Sequence, residues 1–330
     1  MPGRAFTVGI LIVSAACSGG GEAPDRGLLR AFGPLPAVIE SRANPVTPAK
    51  ADLGRRLYHD ARLSPDGDIS CATCHPLDRY GVDGKRVSEG HRGQKGERNT
   101  PTVYNAAGHF AQFWDGRAAT VEEQAAGPVL NPVEMGMPSA ADVERVLRAD
   151  AGYREAFADA FPGEAQPVTF GNMAKAIGAF ERTLVTPSRW DAYIGGDTGK
   201  LTPAELEGFA RFNRAGCMTC HRGIYVGGEM YSRLGIAKPW PNRKDLGRHQ
   251  VTRHERDRLI FKVPGLRNVS ETGPYLHDGS VESLDEMIRI MGEYQLGKSL
   301  PDEDVGAIAA WLRTLTGELP ASAPLPAASE

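Results

Sequence analysis

Apolar residues recur at intervals of three and four along five stretches of the chain, and this spacing predicts amphipathic helices. Strand-like alternation is short and rare, so we expect a mainly α fold. The last predicted helix runs from Pro301 to a cap at Gly317. The apolar positions that define the five helices are Leu53 and Leu57; Met173, Ile177, Phe180 and Leu184; Leu206, Phe209 and Ala210; Leu284, Met287, Ile288 and Met291; and Val305, Ile308, Leu312 and Leu315.

Two of the predicted helices begin with the same three residues, Thr47-Pro48-Ala49 and Thr202-Pro203-Ala204. A threonine hydroxyl caps a helix N-terminus, and proline is well tolerated at the first helical position. Each of these helices is followed by one copy of the pattern Cys-x-x-Cys-His. The repetition predicts an internal duplication of a domain that carries one such motif.

The two Cys-x-x-Cys-His motifs predict covalent attachment of two c-type haems. Cysteines three residues apart lie on one face of a helical turn, so both thiols can add to the vinyl groups of one haem and the adjacent histidine can ligate its iron. A zinc site would bring a second cysteine pair within about 15–20 residues, whereas these motifs begin 146 residues apart. A thioredoxin-like motif would need a βαβ pattern that the sequence lacks. The attachment residues are Cys71, Cys74, His75, Cys217, Cys220 and His221.

The N-terminal residues predict export. A mostly apolar stretch from Phe6 to Val13 precedes small residues and Cys17, so residues 1–16 have the pattern of a signal peptide with a lipoprotein cleavage site. Cys17 is then the lipidated first residue of the mature chain, and plain cleavage near Ala16 is the alternative. Residues 17–46 are rich in glycine, proline and alanine and predict a tether and an arm. Of the five cysteines, four lie in the haem motifs, so no pair remains for a disulfide.

Length and charge limit the domain organisation and the class of partner. A chain of 330 residues suggests about two domains. We place their boundary at Pro187, which gives one domain over residues 47–186 and another over residues 187–330. The formal net charge of −3 without a long basic run disfavours nucleic-acid binding. No apolar stretch reaches the ~20 residues that a membrane span requires, so we expect membrane attachment through the N-terminal lipid alone.

Spacing alone leaves the second axial ligand of each haem open. His91 lies 16 residues after His75 in a charged, glycine-rich segment, close enough to reach the same haem. A solvated surface histidine is the simpler interpretation of that position. For the second haem, Met291 competes with Met287 and Met230, and its place on an apolar helix face also fits ordinary core packing.

A series of motifs, all in the same order, resembles the bacterial dihaem cytochrome c peroxidases. The resemblance runs from about Thr47 to Gly317 and implies two cytochrome c-like domains. The N-terminal haem would be peroxidatic, and electrons would enter through the C-terminal haem. The motifs are Ala111–Arg117 (AQFWDGR), Glu123–Pro128 (EQAAGP), Asn131–Met135 (NPVEM), Leu184–Pro187 (LVTP), Phe261–Pro264 (FKVP), Leu266–Asn268 (LRN) and His277–Gly279 (HDG).

The resemblance also implies ligands and catalytic residues. His91 would close the distal side of the N-terminal haem and leave when the other haem is reduced, whereas Met291 would ligate the C-terminal haem and raise its reduction potential. Trp114 would lie between the haems. Glu134 would move a proton between the peroxide oxygens, as general base and then acid, and Gln124 would hydrogen-bond the peroxide. The residues implied for an inter-domain calcium ion are Asn99, Thr272 and Pro274.

The implied function is reduction of hydrogen peroxide to water by a periplasmic, lipid-anchored homodimer. Its electrons would come from a small cytochrome c or a cupredoxin. One alternative is a related dihaem enzyme that matures a tryptophan-derived cofactor in a partner protein. That enzyme has a tyrosine in place of the distal methionine, so Met291 disfavours it although Tyr294 is nearby. The other alternative, a non-catalytic dihaem electron carrier, would have no use for Gln124 and Glu134.

Overall fold

The structure is a computed structural model that describes residues 26–320. The signal peptide predicted over residues 1–16 and the lipidation site at Cys17 lie outside the described residues and stay predictions. No helix in the described part of the chain has the length and apolar character needed to cross a membrane.

Residues 26–320 fold mainly into helices, as the apolar pattern predicts. Short 3-10 turns connect the helices, and Met291–Gln295 forms a single π-helical segment. The α-helices are α1 (Arg26–Leu29), α2 (Pro48–Tyr58), α3 (Cys71–Cys74), α4 (Val121–Leu130), α5 (Ala140–Ala149), α6 (Ala151–Ala160), α7 (Phe170–Glu181), α8 (Arg189–Ile194), α9 (Pro203–Ala215), α10 (His249–Thr252), α11 (Leu284–Ile290) and α12 (Asp302–Arg313).

Two helices end earlier than their apolar pattern suggests. Helix α7 ends three residues before Leu184, and α12 ends at Arg313 rather than at Gly317. In both cases a threonine hydroxyl just beyond the helix donates a hydrogen bond to the carbonyl three residues before it. Thr183 donates to Phe180 and Thr314 to Trp311, each at 2.7 Å. Side-chain bonds of this kind compete with the helical backbone pattern and favour its termination.

The first core is built where α2 crosses α7. Thr47 caps α2 by accepting a hydrogen bond from the backbone N–H of Lys50, as the Thr-Pro-Ala pattern predicts. The two helices approach so closely that a Cβ atom on Gly54 would lie 1.9 Å from the carbonyl oxygen of Ala176. Around this crossing, the fully buried side chains of the first core include Leu53, Leu57, Phe157, Met173 and Ile177.

The second core repeats this construction where α9 crosses α12. Here a Cβ atom on Gly208 would lie 2.0 Å from the carbonyl oxygen of Ala307. Trp311 fills the space beside the crossing, with its ring centroid 5.3 Å from that of Phe209 and 5.4 Å from that of Trp190. The same capped helix and the same glycine crossing therefore occur in both halves, in agreement with two cytochrome c-like domains.

Regular strand structure among residues 26–320 is limited to one antiparallel pair. Strand β1 (Tyr231–Arg233) pairs with β2 (Ile260–Lys262), with Ser232 opposite Phe261. The pair lies after the second Cys-x-x-Cys-His motif and carries the residues Phe261 and Lys262 of the FKVP motif.

Thr186 joins equivalent loops of the two halves. Asn105 and Asn268 both have a left-handed backbone, with φ of +61° and +60°. Both donate a side-chain hydrogen bond to the hydroxyl of Thr186, at 2.8 and 2.9 Å. Because all three residues are buried, these bonds satisfy polar groups that water does not reach.

Candidate functional site

The first Cys-x-x-Cys-His motif forms a single helical turn that presents its two thiols and its histidine together. Helix α3 spans Cys71–Cys74, and the backbone N–H of Ser70 donates to the hydroxyl of Thr73 at 3.0 Å to start the turn. The N–H of His75 then bonds the carbonyl of Cys71 at 2.9 Å. This geometry matches the prediction that both cysteines lie on one face of a helical turn.

His75 is held in a defined orientation. Its Nδ1 atom lies 3.1 Å from the carbonyl oxygen of Gly81, and the hydroxyl of Tyr58 donates to the carbonyl of His75 at 2.6 Å. Desolvation lowers the pKa of His75, and the Gly81 carbonyl opposes this only in part. A neutral imidazole whose Nδ1 is engaged by a carbonyl presents Nε2 as a metal ligand.

The second motif has the same residues on a tighter turn. Gly216, with φ of +104°, ends α9 and lets the chain enter a 3-10 turn over Cys217–Thr219. The backbone N–H of His221 bonds the carbonyl of Cys217 at 3.0 Å. Desolvation lowers the pKa of His221 to about 4, although the carbonyls of Val226 and Pro264 favour its protonated form.

These two turns fit covalently attached haems. Desolvation raises the pKa of Cys71 to about 12 and that of Cys217 to about 11, so both remain thiols at neutral pH. All four motif cysteines are free. The buried Nδ1 of His221 has no hydrogen-bond partner of regular geometry in residues 26–320, although the carbonyls of Val226 and Pro264 are near enough to raise its pKa against the effect of desolvation. Two thiols and one neutral imidazole per turn are the protein groups that a c-type haem requires.

Glu134 lies at the first motif. It follows helix α4 in a short turn, and its negative charge raises the pKa values of both Cys71 and Cys74. Desolvation raises the pKa of Glu134 itself, and nearby Arg117 and Asn131 lower it by less. A carboxyl group with a raised pKa beside a cofactor site is suited to general acid–base chemistry.

Arg117 belongs to this site, although the sequence singled it out only as part of a motif. Its guanidinium carbon lies 3.4 Å from the ring centroid of Phe113, and its charge acts on Glu134. Phe113 in turn lies close to helix α4 at Gly127. Gln124 is half-buried on the same helix, one position before buried Ala125.

His91 is buried, with 5% of its surface exposed, and it lies against the turn that carries Glu134. Its backbone N–H donates to the carbonyl of Glu134 at 2.6 Å. The preceding Gly90 is packed so closely that a Cβ atom there would lie 2.2 Å from the carbonyl oxygen of Val133. The structure therefore joins the loop of His91 to the turn of Glu134.

Both ring nitrogens of His91 face carboxylates. Nδ1 lies 2.9 Å from Oδ1 of Asp68, and Nε2 lies 3.8 Å from Asp66. The hydrogen bond from His91 lowers the pKa of Asp68 to about 2. No sequence pattern links Asp66 or Asp68 to His91, because both lie 23 residues or more before it in the chain.

Glu181 is a second buried acid near the first motif that the sequence did not indicate. It is 5% exposed at the C-terminal end of α7. Burial raises its pKa to about 8, the charge of Glu122 adds to the effect, and Arg182 opposes it. Its charge also raises the pKa of Cys71. No sequence pattern distinguishes Glu181 from any other residue at the end of a helix.

Trp114 lies where the two halves meet. Its indole Nε1–H donates to the carbonyl of Asn99 at 2.9 Å, and its ring meets that of His277 edge to face at 6.5 Å. The carbonyl of Trp114 accepts a hydrogen bond from the backbone N–H of Lys262 at 2.8 Å. Trp114 and Met291 both pack against the apolar cluster that contains Phe261 and Leu276.

A buried ion network surrounds this junction. Arg98 bonds Asp115 at 2.6 Å and Asp245 at 2.7 Å and so joins the first half of the chain to the second. All three side chains are at most 17% exposed. Removal of one partner from a buried ion pair of this kind strongly destabilises the protein. No sequence pattern indicates this network, because its members lie up to 147 residues apart.

Met291 follows α11 directly and begins the π-helical segment. It packs on the apolar cluster that contains Phe261 and Leu276, and Met287 packs on the same cluster. The geometry thus keeps both methionines near one another, and the choice between them as a haem ligand stays a prediction. Met230 lies just before β1, where its carbonyl accepts a bond from the N–H of Val263.

Asn99 is buried beside the segment that holds Thr272 and Pro274. Its backbone N–H donates to the carbonyl of His277 at 2.8 Å, and its side-chain amide lies 3.1 Å from the carbonyl oxygen of Lys85. The peptide bond before Pro274 is cis. Within residues 26–320, no hydrogen bond joins Asn99 directly to Thr272 or Pro274, so the calcium site stays a prediction.

The chain is similar to proteins that carry two haems. A family profile described as di-haem cytochrome c peroxidase matches residues 48–199. Cytochrome c peroxidase Ccp of Escherichia coli is 45% identical over 289 residues, which cover 86% of this chain and 60% of that protein. The chain therefore spans less than two thirds of that relative. Cytochrome c551 peroxidase of Nitrosomonas europaea is 41% identical over 322 residues, which cover 96% of this chain and 93% of the relative.

A solved structure agrees with this relationship. The crystal structure of a MauG-like protein associated with microbial copper homeostasis matches with a TM-score of 0.78 and 31% sequence identity. The match covers 88% of this chain and 96% of that one.

Proposed function

This chain belongs to the di-haem cytochrome c peroxidase family, and from that premise we propose that it reduces hydrogen peroxide to water at its N-terminal haem. Electrons arrive from a small reduced carrier through the C-terminal haem. The observation that carries this proposal is the position of Glu134, a carboxyl group with a raised pKa whose charge reaches both thiols of the first attachment turn.

The bound haems supply the iron that holds peroxide and the electrons that reduce it. Glu134 takes the proton from one peroxide oxygen and returns it to the other, so that water and not hydroxide leaves. Desolvation raises the pKa of Glu134 and so strengthens it as a base, and Arg117 opposes part of that rise. The amide of Gln124 donates a hydrogen bond that orients the peroxide.

His91 has two positions in this proposal. In one it ligates the N-terminal haem, and in the other it is released. The contacts with Asp68 and Asp66 support the second position, because both ring nitrogens are turned towards carboxylates. The 3-10 turn His91–Gly93 contains a left-handed residue, Arg92, with φ of +57°, and such a strained turn is a suitable place for a conformational change.

Trp114 and Met291 serve the electron path. Trp114 lies between the two halves, where its indole and its carbonyl are both fixed by hydrogen bonds. Met291 and His221 would be the protein ligands of the C-terminal haem. A His/Met pair in an apolar cluster raises the reduction potential, so this haem is reduced first.

A calcium ion at Asn99, Thr272 and Pro274 completes the junction. The buried position of Asn99, whose backbone N–H bonds the segment that holds Thr272 and Pro274, supports this assignment. The enzyme acts in the periplasm, tethered by a lipid on Cys17, and it forms a homodimer. Its electron donor is a small cytochrome c or a cupredoxin. These features are supported by the N-terminal pattern and the family resemblance.

The relationship to MauG-like proteins raises one competing function, maturation of a tryptophan-derived cofactor in a partner protein. That function requires a tyrosine as the distal ligand. The ring of Tyr294 is already engaged, with its centroid 4.8 Å from that of Trp240 and the ammonium group of Lys238 4.9 Å from the same ring. Met291 and Tyr294 pack against the same apolar cluster, so it is the existing ring contacts of Tyr294 that favour Met291 as the ligand and hence the peroxidase.

Oxidation of a reduced small cytochrome c by hydrogen peroxide tests the proposal. Protein with two haems per chain is assayed with and without pre-reduction of the C-terminal haem. We expect two donor molecules to be oxidised for each peroxide. Holoprotein that oxidises no donor above the rate of heat-denatured protein, with either pretreatment, would exclude the peroxidase function.

A further inference from the structure

Lys262 is a buried lysine without a carboxylate partner in residues 26–320. It is 8% exposed, and the only side-chain atom that its ammonium group contacts there is Nδ1 of His109, at 3.1 Å. The buried arginines differ, because each has an acidic partner: Arg182 bonds Glu122, and Arg267 bonds Asp191.

His109 positions the ammonium group but cannot neutralise it. Burial, and then the charge of Lys262, hold the pKa of His109 well below its usual value, so the imidazole is neutral and accepts a hydrogen bond from Lys262. Its ring is enclosed, since Cβ atoms on Gly228 and Gly265 would lie 2.3 and 2.8 Å from it. Burial lowers the pKa of Lys262 to about 8, so most of its ammonium groups remain charged at neutral pH.

Asn99, in the first half of the chain, occupies a position equivalent to that of Lys262. The backbone N–H of Lys262 donates to the carbonyl of Trp114 at 2.8 Å, and that of Asn99 donates to the carbonyl of His277 at 2.8 Å. Trp114 and His277 each stand directly before an Asp-Gly pair. The two halves thus exchange equivalent bonds across their junction.

The position of His109, which contacts Lys262, also has an equivalent in the other half of the chain. His109 lies five residues before Trp114, and Thr272 lies five residues before His277. Lys262 and His109 therefore correspond to Asn99 and Thr272, the residues assigned to a bound cation. In one half the family resemblance implies a separate cation, and in the other half the chain provides its own.

The surroundings of Lys262 indicate which anion it faces. His109 packs against Gly228 and Gly265. The carbonyls of Val226, two residues before Gly228, and of Pro264, directly before Gly265, act on the iron-binding histidine His221. Lys262 therefore lies beside the site of the C-terminal haem. Every haem carries two propionate side chains, and a buried carboxylate needs a buried cation.

We propose that Lys262, positioned by His109, is the fixed counter-cation of a propionate of the C-terminal haem. The inference requires that this haem is bound, but it does not depend on peroxide chemistry. A positive charge beside a haem stabilises its reduced form relative to its oxidised form. Lys262 thereby helps to make the C-terminal haem the one that is reduced first.

Redox titration of the C-terminal haem in Lys262→Met, Lys262→Arg and Lys298→Met holoprotein tests the proposal. Lys298 is an exposed lysine whose charge acts on Cys217 of the same haem site, so it controls for a solvated charge. We expect Lys262→Met to lower the equilibrium constant for reduction about tenfold, which is about 59 mV for one electron. Lys262→Arg and Lys298→Met should change it less than threefold.

Redox-difference infrared spectroscopy on protein with ¹³C-labelled propionates identifies the anion directly. The labelled carboxylate bands should shift in Lys262→Met and stay in place in Lys298→Met. Unshifted bands, or an equal change of potential in the two variants, would overturn the proposal. If Lys262→Met binds fewer than two haems, Lys262→Gln takes its place with the same expected results. Neither measurement uses peroxide. A failure of this proposal can therefore be distinguished from a failure of the peroxidase assay.

Discussion

Replacement of Glu134 by glutamine removes one proton-transferring group and leaves the shape of the site intact. The side chain is half-buried and its pKa is raised by desolvation, so a neutral amide creates no buried charge and we expect normal folding. General acid–base catalysis typically contributes a factor of about 10²–10⁴. We therefore predict that Glu134→Gln lowers kcat/KM for peroxide at least about 100-fold, or roughly 2.7 kcal/mol in the barrier.

The pH dependence of the wild-type enzyme provides a second measure of the same group. A base must be deprotonated to accept the peroxide proton, so kcat/KM should rise as pH increases through the pKa of Glu134. That pKa lies above the ordinary carboxyl value because of desolvation. Glu134→Gln should lose this rise. Glu155→Gln, on the exposed face of α6, is the matched control and should keep both the rate and its pH profile.

The assay follows oxidation of a reduced cytochrome c at several peroxide concentrations, with haem content and visible spectra recorded for each variant. If Glu134→Gln holds two haems and retains kcat/KM within threefold of the wild type, proton transfer by this residue is refuted. A loss of rate together with a loss of the N-terminal haem would instead show that Glu134 is needed for assembly of the site.

Two further predictions concern the helix crossing and the distal histidine. Gly54→Ala should destabilise the protein by about 2 kcal/mol, because its Cβ would collide with the carbonyl of Ala176. Gly306→Ala, in the open middle of α12, should be neutral or stabilising, and equal melting temperatures for the two variants would contradict the close crossing. Asp68→Asn removes the charged partner of His91 and should increase the fraction of six-coordinate N-terminal haem in visible spectra. An unchanged spectrum would show that this bond does not compete with the iron.

The attachment turns and the paired Thr-Pro-Ala helices could be predicted from the sequence because their physics is local. A threonine cap, a proline at the first helical position and cysteines three residues apart act within one turn of helix. The structure confirms these elements and the mainly helical fold. The ends of α7 and α12 were less predictable, since Thr183 and Thr314 stop helices that the apolar pattern alone would continue.

The surroundings of the first haem turn could not be predicted in the same way. Asp68 faces His91 across 23 residues of sequence, and Arg98 bonds Asp245 across 147. Such pairs depend on where loops meet after folding, and no periodicity records them. Family resemblance supplied roles for His91 and Glu134 but none for Lys262. The lack of an acidic partner for this lysine within residues 26–320 is visible only in three dimensions.

The reaction of half-reduced holoprotein with one equivalent of hydrogen peroxide tests most directly where peroxide is reduced. Electron paramagnetic resonance spectra are recorded before mixing and within one turnover, because they distinguish the two haems by their axial ligands. We predict that the signal of the N-terminal haem changes in proportion to the peroxide added, one equivalent per chain. A signal of the N-terminal haem that stays unchanged while the peroxide is consumed would contradict reduction of peroxide beside Glu134.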